Sequence, residues 1–172
     1  MSATVKNPTT VARTSERELT VTRTFNAPAH IVFEAWSKPE LIMRWWVPES
    51  FGFSFVSCDA DVRTGGTYRF VFRHPDFEQP MAFFGRYLEV IPNARIVLTN
   101  EEGGDGPITT VTFEERDGKT LLVLRELYPS KQALDDAIAS GSSSTGGAGE
   151  QFDLLDEVIG RLTHVQHPHG TR

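Results

Sequence analysis

The first clear pattern along the chain is an alternation of apolar and polar residues over 18–25. A period of two is typical of a half-buried strand, so the first strand is predicted there. Residues 1–16 are rich in Thr and Ser and lack any period, so they are predicted to form a loose N-terminal tail. In the run ELTVTRTF, the face that should be buried carries Leu19, Val21, Arg23 and Phe25.

Two short helices are predicted directly after this strand. Asn26 can cap a helix, and Pro28 suits a first helical turn, where its missing N–H has no partner to lose. Apolar residues over 29–37 then form one helical stripe. Lys38-Pro39 should interrupt that helix, and the apolar spacing over 40–46 predicts a second one.

The middle of the chain predicts an antiparallel meander. Short strand-like runs follow one another with turn residues between them and no intervening helices, which excludes a parallel sheet. The runs are FGFSFVSCDADV, TYRFVFR, MAFFGRYLEV, RIVLTN, ITTVTFEE and TLLVLREL.

Helical spacing returns near the C-terminus. A short helix is predicted in SKQALDDAIAS, then a flexible Gly/Ser loop over 140–149, and then a main helix from about Glu150 to Thr163. Residues 164–172 should be a flexible tail. The whole pattern predicts one α+β domain over 17–163, with a curved antiparallel sheet of about six to seven strands around the long C-terminal helix.

Composition adds an apolar pocket to this expectation and excludes some partners. The chain has 12 Phe, 3 Trp and 3 Tyr, and each such ring buries about 150–250 Å², enough to line a cavity as well as fill a core. A net charge of −6 and the lack of a Lys/Arg-rich run argue against nucleic acid as a partner. No apolar run is long enough to span a membrane. The lone cysteine, Cys58, excludes an internal disulfide and fits the cytoplasm.

Several stretches resemble a known family. They are AP, VF, AW, PEL and RWW between residues 27 and 46, RTGG at 63–66, GRYLEV at 85–90 and FDLLDE at 152–157. Together they resemble the branch of the START-like (SRPBCC, helix-grip) superfamily named for homologues of the activator of heat-shock-protein ATPase. The resemblance implies a helix-grip fold with an internal pocket, but such pockets host unrelated activities.

The chain departs from the branch at three places. Val47 stands where Gly is common, and Thr64 stands where Pro is usual. Ala148-Gly149 replaces a bulkier Met or Trp at the start of the last helix, which should loosen one wall or rim of the pocket.

The pocket is predicted to be lined by aromatic residues of the strands and helices, with one carboxylate. Trp45 and Trp46 diverge by about 100° on a helix, so one should anchor the sheet while the other lines the pocket. The candidate ligand-binding residues are Trp45, Trp46, Phe53, Phe55, Phe70, Phe72, Phe83, Tyr87, Glu126 and Phe152.

Catalytic candidates are few, and each has a structural alternative. Glu89 and Glu126 lie in apolar strands, where a carboxylate facing a cavity could act as a general base. Counting in twos along the strands puts Glu89 on the same face as Tyr87 and Gly85, and Glu126 on the same face as Leu122 and Leu124. Pairing with a neighbouring arginine (Arg69, Arg73, Arg86 or Arg125) is favoured over that role. His30 and Glu34, four residues apart, are interpreted as a solvated ion pair rather than a catalytic dyad.

No cofactor or metal is expected. Histidines 164, 167 and 169 lack fixed helical spacing, and a structural zinc site needs four ligands. The glycines at 103–106 and 146–149 lack the context of a phosphate-binding loop. Cys58 should behave as a small buried hydrophobe.

Three functions remain open. The leading one is binding of a small hydrophobic or aromatic molecule in the pocket. The resemblance also implies two alternatives: a cyclase- or hydrolase-like enzyme that uses a pocket carboxylate or Tyr87, and a co-chaperone-like protein of the stress response. A homodimer is a further expectation about partners.

Overall fold

Eight antiparallel strands form one sheet, as the computed structural model of the protein shows for residues 7–47, 49–101, 106–140 and 147–166. At Glu49 and over 164–166 only the backbone is described. The strands are β1 (Thr10–Ser15), β2 (Glu18–Phe25), β3 (Ser54–Ala60), β4 (Thr67–Arg73), β5 (Met81–Ile91), β6 (Arg95–Thr99), β7 (Ile108–Arg116) and β8 (Lys119–Leu127). Their order in the sheet is β1-β2-β8-β7-β6-β5-β4-β3.

Helices connect the two sides of this sheet and cover it. They are α1 (Ala29–Ser37), α2 (Pro39–Ile42), α3 (Lys131–Ser140) and α4 (Ala148–Gln166), with a 3₁₀ turn at Glu49–Phe51. The chain leaves β2, passes through α1 and α2 to β3 at the opposite edge, and returns strand by strand to β8 beside β2. The predicted α+β helix-grip architecture is confirmed, with eight strands instead of six or seven.

The extra strand is β1, which lies within the predicted N-terminal tail. The prediction of a loose tail is therefore wrong over Thr10–Ser15. The strand has no apolar period because almost all of it is exposed, and pairing with β2 holds it in place. An ion pair between Arg13 and Asp135 at 2.7 Å also ties it to α3.

The first two helices differ in detail from their predictions. Asn26 does not cap α1, because the N-cap position is Pro28 and the backbone N–H of Ala29 donates instead to Glu115 Oε1 at 2.8 Å. The second helix ends at Ile42 instead of continuing to 46, and turns follow it.

The short helix α3 was predicted, and it covers a small core of its own at the end of β2. Leu19, Tyr128, Leu134 and Ala137 are buried there. The predicted loop over 140–149 lies partly outside the described residues, but Ser140 still belongs to α3 and Ala148 already begins α4.

The last helix is longer than predicted. α4 spans Ala148–Gln166, so the predicted tail is wrong at 164–166, while 167–172 lie outside the described residues. Its buried side packs against α1 and β2. None of the described helices combines the length and apolar composition that crossing a bilayer requires.

Arg23 links this helix to the sheet. The side chain stands on the buried face of β2 and is 1% exposed, although it is charged. Its guanidinium contacts Asp153 at 2.6 Å and Asp156 at 3.0 Å, both on α4, and donates to Thr9 Oγ1 at 3.0 Å. The alternation that predicted Arg23 among buried residues is thus correct, and α4 supplies the carboxylates that compensate its charge.

One glycine in α4 offers a simple test of helix stability. Gly160 is exposed in the helix, and a Cβ added there meets no atom within 4 Å. Gly160→Ala should therefore raise the free energy of unfolding by about 0.5–1 kcal/mol, measured by urea denaturation.

The same substitution at a hairpin turn is the control. Gly118 has φ +78°, a left-handed conformation that alanine adopts only with strain. Gly118→Ala should lower the free energy of unfolding, and equal effects at the two positions would contradict this account of Gly160.

Candidate functional site

An internal cavity lies between the α1–α2 segment and strands β4 to β6. The alternation of β4, β5 and β6 sends aromatic and aliphatic side chains inward from neighbouring strands, and the helices close the other side. The wall consists of Trp36, Ile42, Trp46, Tyr68, Phe70, Tyr87, Ile96 and Leu98.

The cavity is small in this conformation. Its volume is about 10 Å³, counted as the space that the centre of a water molecule can occupy. A buried water needs roughly 10–15 Å³ by that measure. The space therefore holds about one water molecule, and a larger ligand must displace a wall side chain.

Aromatic contacts connect the wall from helix to sheet. The ring centroids of Trp36 and Trp46 are 6.1 Å apart, and those of Trp46 and Phe70 are 5.1 Å apart. Tyr68 continues the series, 5.1 Å from Phe70 and 5.5 Å from Tyr87. Tilted and edge-on pairs at such distances are favourable, so the wall is a cohesive aromatic surface.

Three of the ten predicted ligand-binding residues lie in this wall: Trp46, Phe70 and Tyr87. Trp45 is fully buried and anchors the core, since its Nε1–H donates to the carbonyl of Ala35 at 3.0 Å. Trp45 thus anchors the core while Trp46 lines the cavity, although both lie in the turns after α2 and not on a helix as predicted.

The other predicted aromatic residues lie around the cavity wall. Phe83 contacts Trp46 from outside the wall, with ring centroids 5.7 Å apart. Phe152 of α4 is buried one layer away, 6.5 Å from Trp36 between ring centroids. Three further phenylalanines lie near His74, one directly before β3, one in β3 and one in β4: Phe53, Phe55 and Phe72.

Among the described residues, the long helix α4 contributes none to this wall, so this cavity lies beneath α1 and α2. The pocket expected between the sheet and α4 stays a prediction. Ala148 packs in the core at 3% exposure, and Gly149 is exposed. The expected loosening of a pocket wall at Ala148-Gly149 therefore has no counterpart in the wall of this cavity.

Sequence reasoning missed five wall residues. Trp36 was assigned to the apolar stripe of α1, and Tyr68 alternates with Phe70 in the run TYRFVFR, so a signal for both was present. The remaining three are aliphatic residues of the helical segment and of β6, which carried no signal beyond core burial: Ile42, Ile96 and Leu98.

Three polar atoms of the wall side chains differ in their partners. The Tyr68 hydroxyl donates to the carbonyl of Thr99. The Tyr87 hydroxyl has no hydrogen-bonding partner among the described residues, and burial raises its pKa, which keeps it neutral. Trp36 Nε1–H is buried and has no acceptor in the part of the chain that the structure describes. A buried donor left in this state costs about 1–3 kcal/mol.

The candidate general bases lie away from the cavity. Glu89 pairs with Arg95 at 3.0 Å, and its side chain is 46% exposed. A β-bulge between Tyr87 and Glu89 reverses the alternation of β5, so the assumption that both residues share a face is wrong. Glu126 keeps its predicted face but lies beside Tyr128, whose hydroxyl donates to it at 3.2 Å.

The remaining reactive side chains do not form a catalytic group. Glu34 pairs with Lys38 at 2.6 Å and not with His30 as interpreted from their spacing. Burial raises the pKa of the half-buried Cys58 thiol to about 12, so it is protonated at neutral pH. Over the described residues, no three His, Cys, Asp or Glu side chains form a group that could hold a metal ion.

Comparison with known proteins supports the architecture. The profile of the family described as "Activator of Hsp90 ATPase homolog 1-like protein" matches residues 26–160. A solved structure from Rhodobacter sphaeroides is 21% identical, with a TM-score of 0.77 over 89% of this chain and 99% of that one. An AHSA1-like protein from Aeromonas hydrophila is 17% identical, with a TM-score of 0.65 over 89% and 99%.

A third structure, from Chromobacterium violaceum, is 29% identical, with a TM-score of 0.64 over 83% of this chain and 97% of that one. Comparison with curated proteins gave no match. The structural likenesses show a shared fold, and the family profile covers most of the 172 residues. The chain therefore belongs to the Activator of Hsp90 ATPase homolog 1-like family of the SRPBCC superfamily, as its sequence resemblance predicted.

Proposed function

We propose that the protein binds a small apolar or aromatic molecule in the cavity between α1–α2 and strands β4 to β6. The observation that carries this proposal is the unfilled space inside a wall of eight apolar and aromatic side chains. The space is about the size of one water molecule, so it marks the place where the packing of the aromatic cluster is least complete. Concave apolar sites with few polar groups are typical of small-molecule binding.

Binding requires the wall to open, and Trp46 is the side chain best placed to move. It follows α2 in an irregular turn and is partly exposed, whereas Trp36 and Trp45 are buried. Gln151 Nε2 of α4 donates to the carbonyl of Trp46 at 2.6 Å, which fixes the backbone. Opening the wall therefore means moving the indole away from its ring contacts, which are with Trp36, Trp45, Phe70 and Phe83. Rotation of this indole would enlarge the cavity without unfolding an element.

A cavity-filling substitution tests the proposal. Leu98→Phe places a larger side chain in the wall, and it should weaken binding of aromatic fragments at least about tenfold because the ligand and the new ring compete for one space. Titration calorimetry measures the affinities. As a second readout, saturating ligand should raise the melting temperature of the wild type by a few degrees.

Leu121→Phe is the matched control. It makes the same chemical change on the outer face of β8, where Leu121 is 38% exposed. Its fragment affinities should equal those of the wild type. Equal affinities in the wild type and both variants would place binding elsewhere, and a lack of binding by any aromatic fragment would reject the proposal.

The enzymatic alternative draws less support from this geometry. The wall carries no carboxylate, because Glu89 is paired with Arg95 at the surface and Glu126 lies beside Tyr128. Tyr87 is the one earlier catalytic candidate that remains in the wall. A neutral tyrosine can orient a ligand, so its role is included in the binding proposal.

Three expectations from the sequence stay predictions. The co-chaperone-like role is checked by stimulation of a heat-shock ATPase, cytoplasmic location by cell fractionation, and the homodimer by sedimentation. None of them is needed for the binding proposal, which concerns the interior of one chain.

A further inference from the structure

We infer that the cavity takes an uncharged, planar aromatic molecule whose hydrogen-bond acceptor is bound by the indole N–H of Trp36. This inference rests on the proposed binding function and adds the chemistry by which the site selects its ligand. It begins from a buried polar atom that has no partner within residues 7–47, 49–101, 106–140 and 147–166.

The indole of Trp36 differs from that of its neighbour. Trp45 and Trp36 are both buried, at 0% and 5% exposure, and their ring centroids are 4.7 Å apart. Trp45 Nε1–H donates to the carbonyl of Ala35, while Trp36 Nε1–H has no acceptor among the described residues. Buried donors nearly always have a partner, so Trp36 Nε1–H is the donor in this wall best suited to an acceptor that a ligand supplies.

The position of Trp36 indicates where that acceptor belongs. The side chain forms part of the cavity wall, opposite strands β4 to β6. The Nε1 atom itself has almost no accessible surface in this conformation, so a ligand acceptor reaches it only when the wall opens, as the binding proposal already requires. The Tyr87 hydroxyl in the same wall also has no hydrogen-bonding partner among the described residues. It offers a second, neutral polar contact.

The wall also determines what the ligand lacks. All eight side chains are Trp, Tyr, Phe, Ile or Leu, so no formal charge is available to compensate a carboxylate or an ammonium group. An ionised ligand would lose its hydration without gaining a partner. A carbonyl, ether or ring nitrogen has the required acceptor and no charge.

Three probes of the same shape separate these features: acetophenone, α-methylstyrene and benzoate. The second replaces the carbonyl oxygen of the first by CH₂, and the third replaces the methyl ketone by a carboxylate. Acetophenone and α-methylstyrene also differ in the free energy of their transfer from water, which affects their absolute affinities. The test therefore compares, for each probe, the affinity of a variant with that of the wild type.

Trp36→Phe keeps an aromatic ring and removes the N–H. It should weaken acetophenone binding about fivefold to tenfold and change α-methylstyrene binding by less than about twofold. Trp46→Phe, the same substitution at another wall indole, should change both affinities by one common factor. Benzoate should bind to none of these proteins.

A measurement on the wild-type protein makes the test independent of the variant's folding. Acetophenone should move the Trp36 indole N–H resonance downfield in a ¹H–¹⁵N spectrum, and α-methylstyrene should not.

Two results would overturn the inference while leaving the binding proposal intact: an equal loss of affinity for both probes in Trp36→Phe, or similar indole shifts with both probes. A loss of acetophenone that is confined to Tyr87→Phe would assign the acceptor to Tyr87 and would also overturn it. If neither neutral probe binds, the proposed function itself fails.

Discussion

Replacing Asp153 and Asp156 together by asparagine is expected to destabilise the protein by about 3–5 kcal/mol, a large share of the 5–15 kcal/mol typical of a domain. The reason is the burial of Arg23, whose side chain is 1% exposed and contacts both carboxylates. Asparagine still offers oxygen atoms to the guanidinium but leaves its charge uncompensated. Urea denaturation followed by circular dichroism measures the change.

Arg23→Met should be less damaging than the double asparagine variant. It leaves behind the carboxylates of Asp153 and Asp156, which are 43% and 27% exposed and can be hydrated. Adding Arg23→Met to the double asparagine variant should therefore restore part of the lost stability, because it removes the unpaired charge.

An exposed ion pair provides the matched control for the double asparagine variant. Asp135→Asn removes the carboxylate that Arg13 contacts, where both side chains are 33% exposed. A pair in that setting contributes about 0–1 kcal/mol. If Asp135→Asn proved as destabilising as the change at Asp153 and Asp156, burial of Arg23 could not be the cause.

Gly85→Ala is expected to cost about 2–3 kcal/mol and to weaken ligand binding as well. A Cβ at this position would stand 2.2 Å from the carbonyl oxygen of Thr99, so the backbone of β5 or β6 must shift. That carbonyl accepts the hydrogen bond of the Tyr68 hydroxyl, and Tyr68 belongs to the cavity wall. The same shift would disturb the bond from Arg86 N to Thr99 Oγ1, at 2.9 Å.

Gly149→Ala is the comparison for this effect, since a Cβ there meets no atom within 4 Å. Its unfolding free energy should not fall and, because Gly149 is an exposed glycine of α4 like Gly160, should rise by up to about 1 kcal/mol, while its affinity for aromatic fragments should equal that of the wild type. Wild-type stability in Gly85→Ala would contradict this prediction, because it would show that β5 and β6 can move apart without cost despite the close approach of Gly85 to Thr99.

Local patterns in the sequence were sufficient for most of the architecture. The strict alternation of β2 follows from one buried face, and the Asp117-Gly118 turn has the positive φ values that its sequence predicts. The sequence did not predict β1, because its side chains are mostly exposed and the strand is held by pairing with β2. Such a strand has no hydrophobic period to detect.

The cavity depends on contacts that no local pattern contains. Tyr68 and Tyr87 come from different strands, and they meet only because the register of β4 and β5 brings them together. The bulge after Tyr87 reverses the faces of the following residues, which is why counting in twos misplaced Glu89. That the Trp36 indole N–H lacks a partner can be seen only from the positions of the surrounding described atoms, which no local pattern predicts.

The clustering of the indoles also has an optical consequence. The protein has 3 tryptophans, and Trp36, Trp45 and Trp46 lie with ring centroids 4.7–6.1 Å apart. Its intrinsic emission therefore originates from a single location, with the rings close enough to exchange excitation energy. Any molecule that enters beside Trp36 or rotates Trp46 changes this emission directly, so the protein carries its own fluorescent reporter of the cavity.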